Sequence, residues 1–121
     1  MLGLRTTIYK VDDITKAKEW YAKAFLTEPY FDEPFYVGFN IGGYELGLQP
    51  DDRPATEKVE SVVSYWGVND ITNTYNRLIG IGATESEPPY NVGGDLMTAT
   101  LKDPFGNVIG LIYNPYFKIN E

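Results

Sequence analysis

Residues 6 to 14 read TTIYKVDDI, and residues 63 to 71 read VSYWGVNDI. The second stretch sets Val63 against Thr6, Trp66 against Tyr9, Val68 against Val11, Asp70 against Asp13 and Ile71 against Ile14. A repeat on this scale means one supersecondary unit used twice. Each copy has the pattern of a strand that runs into an acidic helix start, where Asp13 and Asp70 suit the N-cap role by accepting free amide protons of the first turn. Helical periodicity follows both. In ITKAKEWYAKAF the apolar positions Ile14, Ala17, Tyr21, Ala24 and Phe25 recur at helical spacing, and in ITNTYNRLIGIGA Ile71, Tyr75, Leu78 and Ile79 do the same before a stop at Gly80 or Gly82.

Short strands follow each helix. The first half offers Phe35 to Ile41, a Gly42-Gly43 turn, and Tyr44 to Gln49, which is a hairpin pattern. The second half offers Leu96 to Lys102, a turn at Asp103 to Asn107, and Val108 to Asn114. Each half is thus a βαβββ module, module one at residues 1–50 and module two at 61–121. The polar segment 51–60, with Pro54, reads as their linker. Neither half has enough core alone, so the two are expected to pair their sheets within a single 1–121 domain.

The composition excludes several functions. No cysteine is present, which removes disulfides, thiolate nucleophiles and Cys-ligated metals. No histidine is present either. A net charge of -7 argues against nucleic acid and anionic membrane surfaces, which attract clustered Lys and Arg. No apolar run reaches the length of a membrane span and the N-terminal stretch lacks a signal-peptide pattern, so a soluble, cytoplasmic protein is expected.

The repeat, the Asp-Ile helix starts and the DPFGN turn at 103–107 with its following strand together resemble the vicinal oxygen chelate family, which includes glyoxalases, bleomycin-resistance proteins and extradiol dioxygenases. The resemblance covers essentially the whole chain. It implies an α+β fold in which two βαβββ modules form a curved mixed sheet around a cleft. In metal-dependent members a divalent ion is held by side chains of the opening and closing strands of each module. The resemblance carries those positions onto Thr6, Glu45, Val63 and Gly110, setting Glu45 against Gly110. One carboxylate among threonine, valine and glycine does not suit a transition metal, so no metal and no other cofactor is expected.

If these four positions face the cleft, strand alternation adds Ile8, Lys10, Gly47, Gln49, Tyr65, Gly67, Ile112 and Asn114 to that face. Tyr9, Val11, Leu46, Leu48, Trp66, Val68, Leu111 and Tyr113 then face the helices. Gly110 either opens the cavity where a ligand side chain is absent or accommodates curvature or a bulge. The segments EPYFDEPFY (28–36) and PPYNVGG (88–94) read as loops that bring Tyr30, Phe31, Phe35, Tyr36 and Tyr90 to the rim, either to stack on a ligand or to cap the sheet or line a dimer contact.

The expected ligand-binding set is Thr6, Ile8, Lys10, Tyr36, Glu45, Gly47, Gln49, Val63, Tyr65, Tyr90, Gly110 and Ile112. The resemblance implies a metal-free homodimer that binds a small, partly aromatic or cationic molecule, as drug-sequestering members do. The alternative is a lyase, isomerase or dioxygenase with an atypical site around Glu45, the one weak catalytic candidate, and a third is an interaction module. Binding without catalysis is the preferred reading.

Overall fold

The computed structural model describes residues 4–52 and 62–116. Residues 53–60 of the expected linker lie outside the described residues, as do the two chain ends. The described chain forms two compact units, 4–52 with 105–107 and 62–104 with 108–116.

The first unit runs β1 (Thr6–Val11), α1 (Ile14–Phe25), β2 (Phe31–Glu33), β3 (Tyr36–Ile41) and β4 (Tyr44–Pro50). Its sheet has the order β1-β4-β3-β2, with β1 and β4 parallel and the other neighbours antiparallel. The second unit runs β5 (Tyr65–Gly67), α2 (Ile71–Gly80), β6 (Thr84–Gly93), β7 (Leu96–Lys102) and β8 (Val108–Tyr113). Its order, β5-β8-β7-β6, repeats the first with the same senses. Each unit is therefore a βαβββ module, and the fold class is α+β. No helix among the described residues is long and apolar enough to cross a membrane.

Both helices start where the repeat places them. Asp13 Oδ1 accepts from Lys16 N and Asp70 Oδ1 from Asn73 N, each at 3.1 Å, so each aspartate satisfies an amide that the helix itself leaves unpaired. The buried stripe of α1 is Ala17, Trp20, Tyr21 and Ala24, spaced i, i+3, i+4, i+7. Trp20 joins this stripe although periodicity from Ile14 passes over it, while Ile14 and Phe25 at the helix ends are half-buried. Tyr21 stacks on Tyr9 of β1 with ring centroids 5.6 Å apart, tying the helix to its sheet.

Alternation along the strands separates the two faces. Tyr9, Val11, Leu46, Leu48 and Leu111 are buried, while Ile8, Lys10, Tyr65 and Gly67 are exposed. Trp66, Val68 and Tyr113, expected beside them on the helix face, are half-buried.

The segment 88–94 differs from its reading as a loop. Most of it continues β6, an edge strand that pairs with β7 through register shifts at Glu85/Glu87, Glu87/Tyr90 and Asn91/Gly93. Pro88 and Pro89 lack amide protons, and an edge position with bulges is where a strand tolerates that loss. Likewise the segment 28–36 contains the short edge strand β2. Residues 105–107 of the DPFGN turn belong to the first unit, where Asn107 Nδ2 donates to the Lys10 carbonyl at 3.0 Å.

Candidate functional site

Thr6 and Glu45 are direct partners across the parallel β1–β4 pair, so their side chains leave the sheet on one face. Thr6 Oγ1 donates to Glu45 Oε1 at 3.1 Å. Two tyrosines complete the cluster. Tyr36, the first residue of β3, donates its hydroxyl to Oε1 at 2.7 Å, and Tyr30, from the segment before β2, donates to Oε2.

Glycines make these contacts sterically possible. Gly38 and Gly47 face each other across β3 and β4. A β-carbon at Gly47 would stand 2.6 Å from Tyr36 Cζ, and one at Gly38 would stand 3.1 Å from Tyr30 Cε1 and 3.0 Å from Glu45 Oε2. The bare glycine pair is thus a floor over which both phenols reach the carboxylate. Tyr30 is also fixed through its backbone, its N–H donating to the Gly38 carbonyl at 2.9 Å.

The donors set the charge state. Glu45 is held below the ordinary carboxylate range, first by the Tyr30 hydroxyl and then by that of Tyr36, with partial burial opposing and Thr6 adding to the effect. Reciprocally, Tyr30 is raised chiefly by its hydrogen bond to Glu45, whereas Tyr36 is raised by burial first and by Glu45 second. Glu45 is therefore a fixed anion near neutral pH. A carboxylate stabilised in this way is a weak proton acceptor, which works against general-base catalysis.

An open hollow of about 300 Å³ adjoins the cluster, lined by Arg5, Thr6, Tyr30, Asn40, Tyr44 and Glu45. Of the other residues expected here, Ile8, Lys10 and Gln49 share the face, Ile8 and Lys10 exposed and Gln49 half-buried. Gly47 is covered by Tyr36.

The remaining expected residues lie on the second sheet. Tyr65 pairs with Gly110, and its Cδ1 stands 2.6 Å from where a β-carbon at Gly110 would be. The Ser64 carbonyl oxygen lies 2.8 Å from the same point and accepts the Gly110 N–H at 2.9 Å. Gly110 thus admits an aromatic ring and a neighbouring backbone rather than leaving open space. Ile112 and Tyr90 both oppose Thr98, from β8 and β6, and so share a face. Val63 is half-buried just before β5.

These registers shift the repeat by two residues. Tyr9 pairs with Leu48 and Trp66 with Leu111, so the second-module counterpart of Glu45 is Val108 and that of Gly47 is Gly110. Each module then has a glycine of its closing strand overlain by a tyrosine, Tyr36 in one and Tyr65 in the other.

The donor set does not fit a family-type metal. Val63, Val108 and Gly110 offer no ligand, Thr6 is neutral, and both oxygens of Glu45 already accept hydroxyl protons. Among the described residues no group of three Asp or Glu side chains converges, and the chain has no His or Cys.

Gly38 is the member of the cluster that the sequence reading lacks, while Tyr30, expected among the rim aromatics, is absent from the expected binding set. Gly38 has a sequence signal, because the Gly42-Gly43 turn sets the hairpin register that brings it opposite Gly47.

Comparison with known proteins follows the same lines. The family model described as the glyoxalase/bleomycin resistance protein/dioxygenase superfamily matches residues 3–111. The Bacillus subtilis (strain 168) protein YurT, itself uncharacterized, is 31% identical over 77 residues, which are 58% of this chain and 60% of that relative's length. Among solved structures, a glyoxalase-related enzyme from Fulvimarina pelagi superposes with a TM-score of 0.81 at 16% identity, over 99% of this chain and 94% of that one. The fosfomycin resistance protein FosX from Listeria monocytogenes, solved with Mn(II) and sulfate, gives 0.79 at 14% identity, over 96% and 93%. The bleomycin resistance determinant encoded on transposon Tn5 gives 0.73 at 16% identity, over 93% and 98%. At these identities the structures share the fold.

Proposed function

Because the chain belongs to the glyoxalase/bleomycin resistance protein/dioxygenase superfamily, we propose that it binds a small molecule of aromatic and cationic character on the first sheet, without a metal and without turning it over. The observation that carries this reading is Glu45, a carboxylate kept ionised by three hydroxyls beside a hollow whose lining includes the rings of Tyr30 and Tyr44 together with Arg5 and Asn40. A fixed anion next to tyrosine rings suits a cation, through direct charge attraction and through the ring faces. The net charge of -7 adds a long-range attraction of the same sign. Sequestration of a drug-like molecule by a cytoplasmic homodimer is the form this reading takes, and the bleomycin resistance determinant that shares the fold supports it.

The test is calorimetric titration with 2-phenylethylammonium and with neutral 2-phenylethanol as its partner, on wild type and Glu45→Gln. The expected result is binding of the ammonium compound that weakens in the variant and exceeds that of the alcohol. Equal affinity for both compounds, unchanged by Glu45→Gln, would overturn the reading. So would turnover that requires an added divalent metal.

A further inference from the structure

The two oxygens of Glu45 have different surroundings. Oε1 accepts from Thr6 and from Tyr36, both half-buried and both set in strands of the sheet. Oε2 accepts from Tyr30 alone among these hydroxyls, and Tyr30 is 64% exposed. A carboxylate oxygen has about two acceptor sites, so Oε1 is filled while Oε2 is held by one phenol at the surface. The backbone of Tyr30 stays fixed through its bond to Gly38, which leaves side-chain rotation as the way its hydroxyl departs. Exposed side chains change rotamer without any cost to the core.

We propose that Tyr30 is a built-in stand-in for the ligand, its hydroxyl occupying the position on Glu45 Oε2 that a hydrogen-bond-donating cation takes when it binds. Tyr30 therefore selects the ligand as well as covering the site. A neutral hydroxyl gains nothing by replacing another hydroxyl on the same carboxylate. An ammonium or guanidinium N–H makes a charge-assisted bond there and displaces the phenol. The ring, once turned outward, remains beside the hollow as an apolar wall. Thr6 and Tyr36 have the opposite role, holding the carboxylate in place in both states. This inference rests on the proposed binding of a cation at Glu45 and adds which oxygen takes it and what it must displace.

The experiment compares binding of 2-phenylethylammonium by wild type, Tyr30→Phe and Tyr36→Phe, each checked for a native circular dichroism spectrum. Tyr30→Phe keeps the ring and the backbone bond to Gly38, and removes only the competing hydroxyl. Loss of one hydrogen bond to a charged group corresponds to roughly tenfold, so Tyr30→Phe is expected to bind about tenfold more tightly. Tyr36→Phe is expected to bind no more tightly than wild type. Binding by Tyr30→Phe with none by wild type supports the stand-in while defeating the proposed function of the native protein. Equal or weaker binding by Tyr30→Phe beside measurable wild-type binding overturns the stand-in and leaves the proposed function intact. Binding by neither protein overturns both.

Discussion

Tyr36 occupies the side-chain space of Gly47: its hydroxyl-bearing carbon stands 2.6 Å from where a β-carbon at residue 47 would be, and the three nearest atoms to that point all belong to Tyr36. The glycine is thus a requirement of the hydrogen bond between Tyr36 and Glu45, because a methyl group there displaces the ring that makes it.

Gly47→Ala is expected to destabilise the protein by about 1–3 kcal/mol, the usual cost of forcing an extra carbon into filled space. It should also raise the Glu45 pKa toward its ordinary value, as Tyr36 is lost from the carboxylate. Gly67→Ala is the control, since nothing lies within 4 Å of a β-carbon there. That substitution should be neutral or stabilising by up to about 1 kcal/mol, because alanine loses less backbone entropy than glycine. Urea unfolding of both variants checks the contrast.

Gly110→Ala should behave differently from Gly47→Ala in a double-mutant cycle. At Gly47 the obstruction is one side chain, so adding Tyr36→Ala relieves it and the two substitutions couple strongly. At Gly110 the Ser64 carbonyl oxygen lies 2.8 Å from the added carbon, and that oxygen belongs to the backbone. Removing the Tyr65 ring leaves it in place. The coupling between Gly110→Ala and Tyr65→Ala is therefore expected to be smaller than that between Gly47→Ala and Tyr36→Ala, measured as the non-additive part of the unfolding free energies.

Much of this arrangement is legible in the sequence. The repeat gives two βαβββ modules, Asp13 and Asp70 mark the helix starts, and period-two alternation assigns Tyr9, Leu46 and Leu48 to the buried face and Ile8 and Lys10 to the other. Glu45 stands out because its strand has no other carboxylate. The convergence of Tyr30 and Tyr36 on Glu45 is less legible, since it depends on side-chain direction across a floor of two glycines that only the hairpin register reveals. The same limit explains the two-residue shift that makes Val108 the counterpart of Glu45. Similar strand endings, YELGLQP and VIGLIYNP, favour one alignment, whereas hydrogen-bond register with the opening strand fixes another. Pro88 and Pro89 conceal β6 because their cost vanishes only at an edge, and edge position is a property of the assembled sheet.

Tyr75 supplies a prediction away from the site. Its ring belongs to the buried stripe of α2, and its hydroxyl is buried without a hydrogen-bond partner among the described residues. Burial raises its pKa first, and Glu85 follows through its charge and then through its approach to the hydroxyl, an approach that falls short of hydrogen-bond geometry. A buried hydroxyl left unpaired costs about 1–3 kcal/mol. Tyr75→Phe is therefore expected to be neutral or stabilising by about 1 kcal/mol in thermal or urea unfolding, whereas Tyr36→Phe, which loses a bond to a carboxylate, should destabilise.

The pH dependence of stability isolates the contribution of Glu45. Its folded pKa lies below its ordinary value of 4.5, so the folded protein binds that proton less readily than the unfolded chain does. The stabilising contribution is accordingly in full above the unfolded value and is lost as pH falls through the folded one. Tyr30 and Tyr36 carry the opposite sign. Their folded values lie above the ordinary 10.0, so their contribution is in full below that value and is lost as pH rises through the folded ones. The difference in unfolding free energy between wild type and Glu45→Gln should therefore be flat between about pH 5 and pH 9 and shrink on the acid side below about pH 4.5. In Glu45→Gln the high-pH end of the tyrosine absorbance titration should also move to lower pH, because Tyr30 and Tyr36 lose the anion that opposes their ionisation. An acid limb unchanged by Glu45→Gln would show that the three hydroxyls do not hold the carboxylate in solution.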